Sequence, residues 1–219
     1  MTNRASLSEL NLAEIVRESW KVGQTIELSG IGYGQIHWGN STDVLDSPFP
    51  YYYFLAGLVR NLKLARILEI GTHSAGSTRA MWRGLASPAS GVFATVDISS
   101  DSDRYLADYP GIKKVLGDAN SRQVFSELIA YFADAPVDLV YIDAEHATIP
   151  TLMSFALYAT LLKPKFMVFD DITHNDGMRS AWKFIQSALP SGDTLNATEI
   201  EPDIRETPGF GIVVFRSNL

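Results

Sequence analysis

Apolar residues along this chain gather into short unbroken runs separated by longer, spaced patterns. Five runs stand out: Arg66-Ile67-Leu68-Glu69-Ile70, Val92-Phe93-Ala94-Thr95-Val96, Lys114-Val115-Leu116, Asp138-Leu139-Val140-Tyr141-Ile142 and Phe166-Met167-Val168-Phe169. Continuity rather than alternation is expected of strands covered on both faces. Between them, Val124, Phe125, Leu128, Ile129 and Phe132 share one helical face, with Asn120 and Gln123 as a capping box. Leu152, Phe155, Ala159 and Leu162 do the same after Pro150, a first-turn residue, and Met178, Ala181, Trp182, Ile185 and Leu189 behind a cap at Asn175 or Asp176. Strands alternating with helices predict βαβ units, a parallel sheet and right-handed crossovers.

The alternation fails at the end. Thr194 to Glu201 reads as a strand, Pro202 to Gly209 as a polar turn region, and Gly211-Ile212-Val213-Val214-Phe215 as a second strand. With no helix between them, they should pair antiparallel at one end of the sheet. Ahead of the sheet, residues 6–20 and 50–62 have helical patterns, with the flexible Gly30-Ile31-Gly32-Tyr33-Gly34 between. Residues 1–60 are therefore read as a helical cap on a core formed by residues 61–219. The class is α/β: a Rossmann-like, doubly wound, mostly parallel sheet.

Composition narrows the chemistry. The 219 residues are 46% hydrophobic and 20% charged, which excludes collagen-like and disordered classes. With no Cys, thiol nucleophiles, thiolate zinc sites and iron–sulfur clusters drop out. A net charge of -7 disfavours a nucleic-acid partner. No apolar run approaches the ~20 residues of a membrane span, and the first residues lack a secretory apolar stretch. A cytoplasmic location is the expectation.

The first run leads into Gly71-Thr72-His73-Ser74-Ala75-Gly76-Ser77-Thr78. A dinucleotide fingerprint needs glycine where His73 stands, and a phosphate-cradling loop needs the Lys absent after Gly76. What remains is acidic-x-Gly-x-x-x-x-Gly, which suits a ligand with a cationic amino-acid end and no phosphate. Asp97 follows at the end of the second run, about 20 residues beyond the loop, where a carboxylate can accept ribose hydroxyls. Gly117-Asp118-Ala119 closes the third.

This series resembles the first motifs of class I S-adenosylmethionine (SAM) methyltransferases, from about residue 60 to the end. The resemblance implies a seven-stranded sheet with an antiparallel last strand, and residues 61–219 as a SAM-binding catalytic domain. Gly71, Thr72, Ser74, Gly76 and Ser77 would pass against the methionine half, with Glu69 near its ammonium. Asp97 would hold the ribose, and Asp118 the adenine amine.

The fourth run ends in Asp143-Ala144-Glu145-His146 and the fifth in Asp170-Asp171. Adjacent parallel strand ends lie ~4.8 Å apart, so these carboxylates should converge. Three carboxylates at one spot repel unless protonated or neutralised, and all-oxygen ligation suits Mg²⁺ or another hard divalent cation. The pattern resembles metal-dependent O-methyltransferases of the catechol and macrolide-sugar (macrocin) types, a group that includes proteins labelled cephalosporin-hydroxylase-like. That resemblance implies Asp143, Asp170 and Asp171 as metal ligands, with Asp143 also beside SAM. It also implies His146, three residues beyond the first ligand, as general base. The Asp-Asp pair leans to the natural-product sugar type, since catechol enzymes usually carry Asp-Asn. His174 would line the site, and His73 is either structural or a SAM contact.

The expected activity is methylation of a hydroxyl on a small metabolite: a natural-product sugar, polyketide or phenol. Trp38, Tyr51, Tyr52, Tyr53 and Trp182 offer flat surface for a ring, but such spacings also suit a core. Two other readings stand beside it: a nucleotide-dependent oxidoreductase or hydroxylase on the same sheet, and a non-catalytic SAM-fold binding protein. The apolar N-terminal segment leaves homo-oligomerisation open.

Overall fold

The computed structural model describes residues 11–32, 48–132, 135–204 and 209–218. Seven strands form one sheet: β1 (Arg66–Ile70), β2 (Val92–Asp97), β3 (Ile112–Leu116), β4 (Leu139–Ile142), β5 (Phe166–Asp170), β6 (Thr194–Asn196) and β7 (Phe210–Val214). Their order is β3-β2-β1-β4-β5-β7-β6. The first five run parallel, and β7 lies antiparallel between β5 and β6. The order reverses beside β1, and ligands of open α/β sheets bind at such a switch point, outside the carboxyl ends of the strands.

The helices are α1 (Leu12–Gly23), α2 (Pro50–Asn61), α3 (Gly76–Gly84), α4 (Asp103–Leu106), α5 (Arg122–Tyr131), α6 (Thr148–Leu161), α7 (Asp176–Ala188) and α8 (Ala197–Ile200). Alternate strand residues serve opposite layers. Ile67, Phe93, Leu139, Tyr141, Phe166 and Val168 pack with α1, α2 and α3. Leu68, Ala94, Val140, Ile142, Met167 and Phe169 pack with α5, α6 and α7. In its described parts the expected cap is continuous with the first of these cores, since Leu12, Ile15, Phe54 and Leu58 belong to the same buried cluster as the sheet. Among the described residues no helix is long and apolar enough to cross a membrane.

Several boundaries differ from the expectations, each for a local reason. The long strand over Thr194 to Glu201 shortens to three residues, because the Asn196 side chain accepts from the Thr198 N–H and starts α8. The cap of α5 is Ser121, whose Oγ accepts from the Val124 N–H at 3.3 Å. Asn120 instead accepts from the Ser154 hydroxyl at 3.1 Å. The first helix starts after its Asn11 cap and runs to Gly23. Residues 6–10, Tyr33, Gly34 and Trp38 lie outside the described residues. Asn175 caps α7 as expected, accepting from the Met178 N–H at 2.9 Å.

Candidate active site

Where β1 leaves the sheet, Gly71 turns with φ +96°, and a Cβ there would sit 1.8 Å from the Asp143 carbonyl oxygen. Only glycine lets β1 and β4 approach this closely at that φ. The next two N–H groups, of Thr72 and His73, both donate to Asp97 Oδ2, at 2.9 and 2.7 Å. Asp97 Oδ1 accepts from the Ser99 N–H at 2.8 Å. Asp97 is therefore a loop anchor first, and its remaining acceptor capacity is what it can offer a ligand. At the start of α3, a Cβ on Gly76 would fall 2.0 Å from the Tyr52 hydroxyl. The missing side chain makes room for α2 as well as for a ligand.

Glu69 departs from its expected place. Its side chain points down into the α3 layer, on the same face as Ile67, and has no share in the cavity wall. Ser77 donates to its Oε1 at 2.5 Å, and Thr78 and Thr95 both donate to Oε2, Thr95 at 2.7 Å. Thr72 Oγ1 lies 2.7 Å from Thr95 Oγ1. This hydroxyl cluster ties the loop to β2, so Glu69 shapes the loop from below, buried behind the cavity wall.

Burial raises the Glu69 pKa from 4.5 to about 7, against the lowering effect of the Ser77, Thr78 and Thr95 hydroxyls. A carboxyl with a raised folded-state pKa contributes stability in full below its unfolded value and loses it as pH rises through the folded value. The loss between pH 4.5 and 7 should total about 3 kcal/mol. Glu69→Gln should therefore flatten the pH dependence of urea unfolding between pH 5 and pH 8. Identical slopes for variant and parent would refute this account.

The loop opens on a cavity of about 1610 Å³ along the carboxyl ends of β1 to β5. Gly71, Thr72, Ser74, Gly76, Ser77, Asp97 and Asp118 line one part, and Asp143, His146, Asp170, Asp171 and His174 another. Phe49, Pro50, Tyr51 and Tyr52 wall it from α2, and Pro202 to Ile204 from the segment after α8. His73 also lines it. Trp182 does not: it packs under β5 against Phe169. Apart from Glu69, every residue expected to contact cofactor, metal or substrate proton lies on this wall.

At the far part, Asp170 and Asp171 are buried. Asp171 takes a left-handed φ of +57°, a costly conformation for a non-glycine residue. Asp170 Oδ1 accepts from the Asp171 N–H at 2.8 Å. The Tyr141 hydroxyl donates towards Asp143 Oδ2 at 3.1 Å and Asp170 Oδ2 at 3.3 Å. His146 Nε2 lies 3.5 Å from both Asp143 Oδ1 and Asp171 Oδ2. Asp143 holds the imidazole pKa above its ordinary value, opposed by burial and helped by the charges of Asp171 and Asp170. The Asn175 side chain donates to the His146 carbonyl at 2.9 Å, fixing the loop that carries it.

The three carboxylates thus gather as expected, but His146 stands between two of them. Among the described residues no three acidic or imidazole groups are arranged to hold an ion as they stand. Their chemistry still fits a hard cation: three carboxylates near one another, two of them buried, with His146 beside Asp143 and Asp171 and His174 beside Asp171. Sequence reasoning missed Tyr141, although strand alternation places it on the same side as Asp143, two residues on.

Residues 68–172 match a family model described as a methyltransferase domain. The matched stretch runs from β1 to the residues just after β5 and carries most of the residues that line the cavity. Solved structures show the same architecture. An O-methyltransferase from Bacillus cereus in complex with S-adenosylhomocysteine (SAH) is 22% identical, with 92% of this chain and 91% of that one covered and a TM-score of 0.59. For the SAM-bound O-methyltransferase TomG from Streptomyces achromogenes, involved in tomaymycin synthesis, the values are 18%, 92%, 89% and 0.58. For the SAH-bound Podospora anserina methyltransferase PaMTH1 they are 15%, 92%, 88% and 0.52. At these identities the likeness is one of fold. No curated protein matches the sequence.

Proposed function

We propose that this protein is a SAM-dependent O-methyltransferase, assisted by Mg²⁺ or another divalent cation, that methylates a hydroxyl of a small metabolite. A natural-product sugar, polyketide or phenol fits the reading. The observation that carries it is the single cavity joining the glycine loop to the Asp143–Asp170–Asp171 end.

Gly71, Thr72, Ser74, Gly76 and Ser77 would bind the amino-acid half of SAM, with Asp97 accepting from the ribose and Asp118 from the adenine amine. When bound, SAM supplies an electrophilic methyl group on a sulfonium. Asp143, Asp170 and Asp171 would hold the cation, which lowers the pKa of a bound hydroxyl and orients it. His146 Nε2 would take the hydroxyl proton as the oxygen attacks the methyl carbon, whose bond to sulfur would break to leave the neutral thioether SAH. Tyr51, Tyr52 and Phe49 would exclude water and flank a ring.

The test pairs binding with turnover. SAH at 100 times its dissociation constant should stabilise the protein by about 2.7 kcal/mol in thermal unfolding, whereas NADH and ATP should not. Labelled methyl should pass from SAM to members of a panel of catechols and hydroxylated sugars when Mg²⁺ is present. His146→Ala should lower that turnover by about 10²-fold or more with the SAH shift retained. Stabilisation by NADH instead of SAH would reject the function, and unchanged turnover in His146→Ala would remove the base.

A further inference from the structure

Tyr141 belongs to the first core: its ring is fully buried and lies 5.9 Å from the Phe210 ring. Its hydroxyl, however, sits under the carboxylate end, 3.1 Å from Asp143 Oδ2 and 3.3 Å from Asp170 Oδ2. One proton is shared between two acceptors on neighbouring strands. The other oxygens are engaged elsewhere: Asp143 Oδ1 faces His146, and Asp170 Oδ1 accepts from the Asp171 N–H. The residue does not line the cavity, so it touches neither cofactor nor acceptor.

The geometry points to Tyr141 as a positioning residue whose buried hydroxyl holds the Asp143 and Asp170 carboxylates in register, as two members of an oxygen-ligand set. This rests on the metal-assisted reading above. A phenol hydroxyl carries a hydrogen and the two carboxylates carry none, so Tyr141 is the donor in both contacts. Without it, the half-buried Asp143 and the buried Asp170, carried at the ends of adjacent strands, would lose their common donor and splay apart. Partners that orient ligating groups from behind are typically worth 10- to 100-fold in metal affinity.

Tyr141→Phe tests this, because it removes one oxygen and keeps the ring. With SAH saturating, Mn²⁺ serves as the probe and its binding is followed by electron paramagnetic resonance. The variant should bind Mn²⁺ about 10-fold more weakly while its SAH affinity stays at the parent value. A thermal-unfolding cycle without metal supplies a second readout. Tyr141→Phe should lower the midpoint in the parent background and much less in an Asp170→Asn background, where one charge is already gone. Parental Mn²⁺ affinity, or an equal midpoint loss in both backgrounds, overturns the inference in favour of plain packing. A parent protein that binds SAH but no Mn²⁺ overturns the metal part of the proposed function, and this inference with it.

Discussion

Asp170→Ala and Asp171→Asn are each expected to lower Mg²⁺-dependent methyl transfer on the order of 10³-fold, with SAH affinity kept within about twofold. A bound cation that stabilises the developing alkoxide or phenolate contributes several kcal/mol to the transition state, and about 4 kcal/mol is a thousandfold. The separation from SAH binding follows from placement, since Asp170 ends β5 and Asp171 follows it, while the glycine loop leaves β1. Asn is chosen at 171 because that backbone is left-handed, and Asn tolerates the region better than Ala. Neither change should destabilise the metal-free protein much, because each removes a negative charge from three neighbouring carboxylates, two of them buried. Turnover with and without EDTA, beside SAH titration calorimetry, decides it. Full activity of both variants in EDTA would leave the carboxylates without a metal role.

Gly71→Ala should have the largest effect of any single methyl group added to this chain's loop. Its Cβ would lie 1.8 Å from the Asp143 carbonyl oxygen, a backbone atom that cannot rotate away, and the φ of +96° is unfavourable for any L side chain. The left-handed backbone and the overpacking each cost roughly 1–3 kcal/mol. Relief requires β1 and the end of β4 to part, which moves the glycine loop away from Asp143. We expect the urea midpoint to fall and SAH binding to weaken by about 100-fold or more, near 3 kcal/mol. Parental SAH affinity in this variant would show that the contact is not needed to build the cofactor wall.

The two kinds of residue in the site were unequally legible. Asp97, Asp118, Asp143, Asp170 and Asp171 sit at or just after the ends of hydrophobic runs, and a parallel sheet sends successive strand ends to one edge. Their gathering is thus readable from spacing. Glu69 illustrates the limit. It also sits near a strand end, yet it is a residue of β1 proper and shares a face with Ile67. Two-residue alternation sends its carboxyl into the α3 layer, where three hydroxyls receive it. The same alternation aims Tyr141 under the Asp143 carboxylate, although a tyrosine within an apolar run looks like core and in part is core.

By itself the sequence determined the α/β class, the strand-and-helix alternation, the antiparallel finish and the acidic tips along one edge. All of these follow from local periodicity and from the short reach of connections between neighbouring elements. Only the tertiary structure decided that β7 lies between β5 and β6, that Tyr51 and Tyr52 of α2 wall the cavity, and that His146 stands between two carboxylates. Those outcomes depend on which residues distant in the chain meet across packed layers. Their hydrogen bonds and burial have no counterpart in the spacing of residues along a single strand or helix.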